Sequence, residues 1–295
     1  MNAMRLETLP LAFAAAAWLA SASVAAPLGS EKAAMALIRA YNDRPIPSAG
    51  WRRVTLDLWS GERITRSFSI VNIWSDLPDE NGLGTLFLLE LPAGLRGTSY
   101  LLKEERDRAR NMEVFLHLPA GLKQVLSVEP SRFGEGLLGS DFGYRDLRWL
   151  LPVAGFRFRT TGEVTLIGHK VTVVEVEPTE ERRDAVFWGL ARLFIGRDPL
   201  FLFGADYYVP ESKTGEWRLS KRMRVESLAQ IDGQWIATEM TMRGDGERSS
   251  KLTLNEVRFA STPRDPSLFV PENLPRIAAR VRARETAALL VGRGP

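Results

Sequence analysis

Between residues 50 and 260 the apolar residues fall in short alternating or continuous runs, each bounded by turn residues. The runs are Trp51–Trp59, Arg66–Trp74, Thr85–Leu91, Glu113–Leu118, Gln124–Val128, Phe156–Ile167, Val171–Glu177, Leu190–Ile195, Leu200–Val209, Arg218–Ala229, Trp235–Arg243 and Lys251–Phe259. Runs of this length and period predict antiparallel strands. Ser60-Gly61, Gly168, Asp232-Gly233 and Gly244-Asp245-Gly246 supply hairpin chemistry between them. One helical stripe precedes the strands: Ala33, Ala34, Leu37, Ile38 and Tyr41, with Ser30 placed to cap it and Pro45 and Pro47 to stop it. Helices and strands do not alternate, which argues against a doubly wound α/β fold.

Several strands are apolar on both faces. In the run beginning at Phe68, one face carries Phe68, Ile70 and Trp74 and the other Val71 and Ile73. Leu86 to Leu89 has no polar face, and Leu200 to Phe203 is similar. Such a sheet is either covered on both sides or lines an apolar cavity on one side. Periodicity alone leaves both open.

The N-terminus adds a targeting signal. Arg5, an apolar run from Leu9 to Ala20, and the small residues Ser21 to Ala26 have the layout of a secretory signal peptide cleaved after Ala25. The run is shorter than the roughly 20 residues of a spanning helix, although a retained anchor is the alternative. The expected organisation is a signal peptide at 1–25, one domain at 26–275 and a basic tail at 276–295. That tail carries Arg276, Arg280, Arg282 and Arg284 against Glu285. It fits either a contact with an anionic surface or a frayed terminus.

Composition narrows the chemistry. The 295 residues include no cysteine and two histidines, with a net charge of +3. Thiol chemistry and disulfides are excluded, and little remains for zinc. Nucleic acid is disfavoured, and no phosphate-binding loop, Gly-x-Ser-x-Gly elbow or His-Glu-x-x-His is present. Asp141-Phe142-Gly143 spells a kinase magnesium triplet without the catalytic loop that must accompany it. His117 reads as a structural histidine or a pH sensor, and Glu104-Glu105 and Glu180-Glu181 as solvated faces. Arg106, Arg108 and Arg110 read as a loop surface.

Three ordered stretches carry a resemblance. They are Leu91-Pro92-Ala93-Gly94-Leu95-Arg96-Gly97-Thr98; Val114 to Ala120 with Gly139-Ser140-Asp141-Phe142-Gly143-Tyr144-Arg145-Asp146; and Ile231 to Met242 followed by Leu252 to Phe259 and Phe269. Together they resemble the LolA-like family of periplasmic outer-membrane lipoprotein-sorting proteins, over roughly residues 31–275. The resemblance implies a mainly β fold: a half-open antiparallel β-barrel whose open side is plugged by a few helices over an apolar cavity. It also implies a monomeric periplasmic carrier for acyl chains of lipoproteins or lipids, without cofactor, metal or catalysis. Its partners would be an inner-membrane exporter and an outer-membrane acceptor. Strand alternation nominates Phe68, Ile70, Trp74, Phe87, Leu89, Phe115, Leu193 and Met240 as cavity lining. The Gly139, Ser140, Asp141, Phe142, Tyr144 and Asp146 motif is expected to form part of the lid, with an aspartate paired to an arginine, or else a structural turn. Two other functions stay open: a lipid-sensing or exporter-associated module, and an envelope hydrolase with convergent carboxylates in a polar cleft. The chain departs from the family in its length, in its basic tail and in lacking an alignable lid arginine.

Overall fold

The computed structural model describes residues 30–106, 112–119, 124–211, 215–244 and 246–290. The expected signal peptide, Arg108, Arg110 and residues 291–295 of the tail lie outside them. Helix α1 (Glu31–Asn42) opens the described chain, and the Ser30 side chain accepts from the Ala33 N–H at 3.3 Å as its cap. Thirteen strands follow: β1 (Ala49–Ser60), β2 (Arg63–Leu77), β3 (Gly82–Leu91), β4 (Ser99–Glu105), β5 (Met112–His117), β6 (Val125–Ser127), β7 (Phe156–Leu166), β8 (His169–Pro178), β9 (Leu190–Arg197), β10 (Leu200–Pro210), β11 (Trp217–Ile231), β12 (Gln234–Arg243) and β13 (Arg248–Ala260). Two C-terminal helices, α2 (Leu274–Arg282) and α3 (Thr286–Leu290), complete it.

All thirteen strands form one antiparallel sheet in the order β6-β5-β4-β3-β2-β1-β13-β12-β11-β10-β9-β8-β7. Two meanders therefore meet at a central β1–β13 seam, with Ala49 opposite Ala260 and Ser60 opposite Arg248. The edge strands β6 and β7 do not pair, so the barrel is half open. The turn residues act as expected. Asp232 and Gly233 both take positive φ, as do Ile167 and Gly168, which lets a two-residue hairpin follow the strand twist. Strand β4 is the element absent from the sequence expectation, because its two leucines run straight into the charged Lys103-Glu104-Glu105-Arg106.

The two apolar faces have different coverings. Leu56, Phe68, Ile70, Phe87, Leu89 and Leu102 point inward, into a core shared with Leu37, Ile38 and Tyr41 of α1. Val71, Ile73, Leu86, Leu88 and Leu101 point outward, under Phe269, Leu274, Ile277 and Val281. Helix α2 is thus the outer cover, and a division at residue 276 would cut through it. Its basic residues Arg280 and Arg282 sit in the last turn, where the helix dipole favours cations. Each buried aliphatic side chain there contributes about 1.5–3 kcal/mol. Gly84 allows Phe269 its seat, since a Cβ at residue 84 would lie 2.5 Å from that ring.

Candidate functional site

The chain between β6 and β7 crosses the concave side of the sheet instead of forming an external loop. Phe133, Leu137, Phe142 and Tyr144 from this segment are buried in the inner core. The segment folds back on itself: the Leu137 N–H donates to the Phe142 carbonyl at 2.7 Å, and Gly136 bridges Gly143. Only glycine fits at 136, because a Cβ would stand 1.7 Å from the Ser140 carbonyl oxygen.

Polar latches hold this plug to the far meander. The Ser250 hydroxyl donates to the Asp141 carboxylate at 2.8 Å, and the Asp141 N–H reaches the same hydroxyl at 2.9 Å. Lys221 donates to the Asp141 and Gly134 carbonyls at 3.1 and 3.2 Å. The Tyr207 hydroxyl donates to Asp146 at 2.8 Å, and the Gly143 N–H meets the other carboxylate oxygen at 2.8 Å. Burial raises the Asp146 pKa, with the Tyr207 hydrogen bond opposing, and burial pushes Tyr207 well above its ordinary range. The partners of the motif's aspartates are thus a serine and a tyrosine, not the arginine that the lid reading required. Ser140 closes a local turn on the Phe142 carbonyl, and the Gly139 carbonyl accepts from Arg248.

Between plug and sheet lie three adjacent narrow clefts. The first lies among Tyr41, Leu150, Phe156, Phe158, Leu193 and Trp188 and holds about 80 Å³. The second, about 160 Å³, shares Tyr41, Asp146, Arg148, Leu202 and Met223 with the first and continues to Trp149, Met240 and Leu252. The third, about 50 Å³, shares Arg52, Leu147, Ala237, Met240 and Leu252 with the second and ends on Ile70 and Phe87.

Of the nominated lining residues, Phe68, Ile70, Phe87, Leu89, Leu193 and Met240 belong to the inner core. Ile70, Phe87, Leu193 and Met240 border the clefts, whereas Phe68 and Leu89 lie behind that surface. Phe115 does not belong there: opposite Leu101 in β5–β4 pairing, it packs on the outer cluster. Trp74 stands beyond the lumen, with Trp149 at 5.4 Å and Phe259 at 6.0 Å between ring centroids, its Nε1 donating to the Pro47 carbonyl.

Arg52 and Arg145 border these clefts, and Glu104 lines a polar one beside them. Glu104 is fully buried rather than solvated. Its carboxylate pairs with Arg148 at 3.2 Å and accepts from the Trp149 N–H at 3.1 Å. Even alternation from Tyr100 through Leu102 to Glu104 was the available signal. Arg52 projects inward beside Val54, and burial lowers it to about 10. Arg145 is lowered to about 10 by burial and by the neighbouring Arg148 and Arg182.

A separate polar cleft of about 390 Å³ contains Glu80, Glu104, Glu105 and Glu113 beside Lys103, Arg145, Arg148 and Arg182. Glu80 is engaged by Lys103 at 2.6 Å and Glu104 by Arg148. Among the described residues no group of three His, Asp or Glu side chains is placed to hold a metal ion.

Solved structures share this architecture. A DUF1329 family protein from Desulfovibrio piger superposes with a TM-score of 0.71 at 20% identity, covering 82% of this chain and 98% of its own. A domain provisionally assigned to outer-membrane lipoprotein sorting, from Vibrio parahaemolyticus, gives 0.71 at 18% identity, covering 84% and 100%. A LolA superfamily protein from Nitrosomonas europaea gives 0.56 at 15%, covering 80% and 97%. At these identities the likeness is one of fold, and the fold is the LolA-like half-barrel. No curated protein sequence matches. A protein-family model described as "-like: Uncharacterized protein" matches residues 83–276, more than half of the chain, and the chain belongs to that family.

Proposed function

We propose that this protein is a carrier that binds acyl chains of lipoproteins or lipids in its lumen and moves them toward the outer membrane. The supporting observation is the row of three adjacent, mainly apolar clefts between an open sheet and a segment of the chain's own. An acyl chain in water costs about 0.8 kcal/mol per exposed methylene, and a carrier must replace that burial along the whole chain. The clefts are narrow, so a full acyl chain enters as the plug between β6 and β7 lifts from its latches on Tyr207, Lys221 and Ser250. Ligand binding then favours the lifted state by its differential affinity for it.

In this reading residues 1–25 direct export to the periplasm, and cargo passes from an inner-membrane exporter to an outer-membrane acceptor. The provisional assignment of the Vibrio parahaemolyticus domain to lipoprotein sorting supports that direction. The protein works as a monomer and performs no chemistry of its own.

The test is gentle purification of the mature protein from its native periplasm, organic extraction and mass spectrometry. A stoichiometric lipid or lipopeptide is expected. A protein that carries nothing and fails to bind fluorescent acyl probes overturns the carrier reading.

A further inference from the structure

On the inner wall formed by β1 and β2, between the Leu56–Phe68 and Gly50–Trp74 pairs, one cross-strand pair is polar. Leu56 faces Phe68 and Val54 faces Ile70; at the far end Gly50 faces Trp74. Between them Arg52 stands opposite Asn72. Asn72 is fully buried, and its Nδ2 donates to the Leu86 carbonyl at 3.2 Å. That contact turns its Oδ1 toward Arg52, whose Nε donates to it at 2.8 Å. The guanidinium also lies 5.4 Å from the Trp149 ring.

What the guanidinium lacks is an anion. Among the described residues no carboxylate pairs with it and its two terminal nitrogens have no acceptor. The side chain is partly buried, and that burial lowers its pKa. A partly desolvated cation beside apolar clefts favours an anionic partner. Here it is also aimed, because a buried asparagine has been spent on fixing its orientation. The other guanidinium groups of the lumen are engaged: Arg148 with Glu104, and Arg145 with the Ala185 and Pro130 carbonyls. Arg52 borders both the second and the third cleft, beside Ala237, Met240 and Leu252.

We propose that Arg52, oriented by Asn72, is the head-group anchor of the lumen, and that the ligand is an acylated oxyanion. Its carboxylate or phosphate meets the free edge of the guanidinium, and its hydrocarbon lies along Ile70, Phe87 and Met240. The planar fork of arginine suits either head group, since both accept two parallel N–H bonds. This inference rests on the carrier reading and adds to it a class of ligand. A neutral acyl compound would leave the guanidinium unpaired and would be disfavoured on that account.

The experiment is displacement of the neutral probe N-phenyl-1-naphthylamine from the delipidated mature protein by four twelve-carbon competitors at neutral pH, below their micellar concentrations. Two are anionic, dodecanoate and dodecyl phosphate; two are neutral, methyl dodecanoate and dodecanol. At least one anion is expected to bind about tenfold or more tightly than the neutral pair, the magnitude of a charge-assisted hydrogen bond. Which anion leads distinguishes a carboxylate from a phosphate ligand. Arg52→Met should abolish the preference and leave the neutral competitors unchanged. Arg52→Lys keeps the charge without the fork and should retain part of it; this variant decides the matter should the methionine form fail to fold. Equal binding of all four compounds, or a preference indifferent to both variants, overturns the anchor and leaves the carrier reading standing. Failure of the probe and of every competitor to bind overturns both.

Discussion

Glu104 shows how much a single misplaced side chain can matter. The side chains of Glu104 and Arg148 are 0% and 4% exposed, so neither charge can fall back on water. Removing one partner of a buried pair costs about 3–5 kcal/mol, because the other charge is left uncompensated. Glu104→Ala is therefore expected to lower the unfolding free energy by that amount in a urea titration, with Arg148→Met close behind. The residue was hidden in the sequence because β4 was. Once Tyr100, Leu101 and Leu102 are read as a strand, alternation carries Glu104 inward.

His117, at 4% exposure, tells a related story. Its Nδ1 has no hydrogen-bond partner among the described residues. Burial pulls its pKa below the ordinary 6.5, and the nearby Arg282 of α2 pulls the same way. The unfolded chain then takes up a proton first as pH falls through about 6.5, so stability is lost on acidification from there downward. A fall in melting temperature between pH 7.5 and 5.5 is expected, and His117→Gln should flatten it.

At the scale of elements, α1 was legible because its signals are local: Ser30 caps its start, and it ends at Asn42, shortly before Pro45. The plug was not. Its motif Gly139–Asp146 stood out, but what it touches is set by Ser250, Lys221 and Tyr207, which are distant in sequence. Pattern reading sees neighbours, and these are not neighbours. The same limit placed Phe115 on the wrong side: the parity of a six-residue strand cannot be read without knowing what lies opposite. Tyr207 is the latch most open to test. Tyr207→Phe leaves the partly buried Asp146 with one hydrogen bond, from the Gly143 N–H. It should cost about 1–3 kcal/mol of stability and, because the plug is freed, speed the uptake of a fluorescent acyl probe in stopped flow. Slower or unchanged uptake would mean that this segment does not gate the lumen.

For the whole molecule, the question that periodicity left open has a divided answer. The outer face of β2–β4 is covered by α2, and the inner face borders open space. The two faces make opposite predictions. Ala237 borders the second and third clefts, and Ala237→Trp should fill them, at about 1–3 kcal/mol of overpacking. Acyl-probe affinity should drop about tenfold or more while the circular dichroism spectrum is kept. Ile277→Ala, on the outer face, should cost about 2–5 kcal/mol of stability and leave probe affinity untouched.

The central β1–β13 seam has a consequence in time. Strand β1 is among the first parts of the domain to leave the ribosome, and its partner Arg248–Ala260 is among the last. At roughly 5–20 residues per second, synthesis of the intervening chain takes on the order of 10–40 s. Throughout that interval β1 has β2 on one side and an unsatisfied row of N–H and C=O groups on the other. The strand that ends up at the middle of the sheet begins as its edge. Any nascent or truncated chain that stops short of Arg248 presents a twelve-residue template for pairing with another copy, and the joint that unites the two meanders is the last one the chain can make.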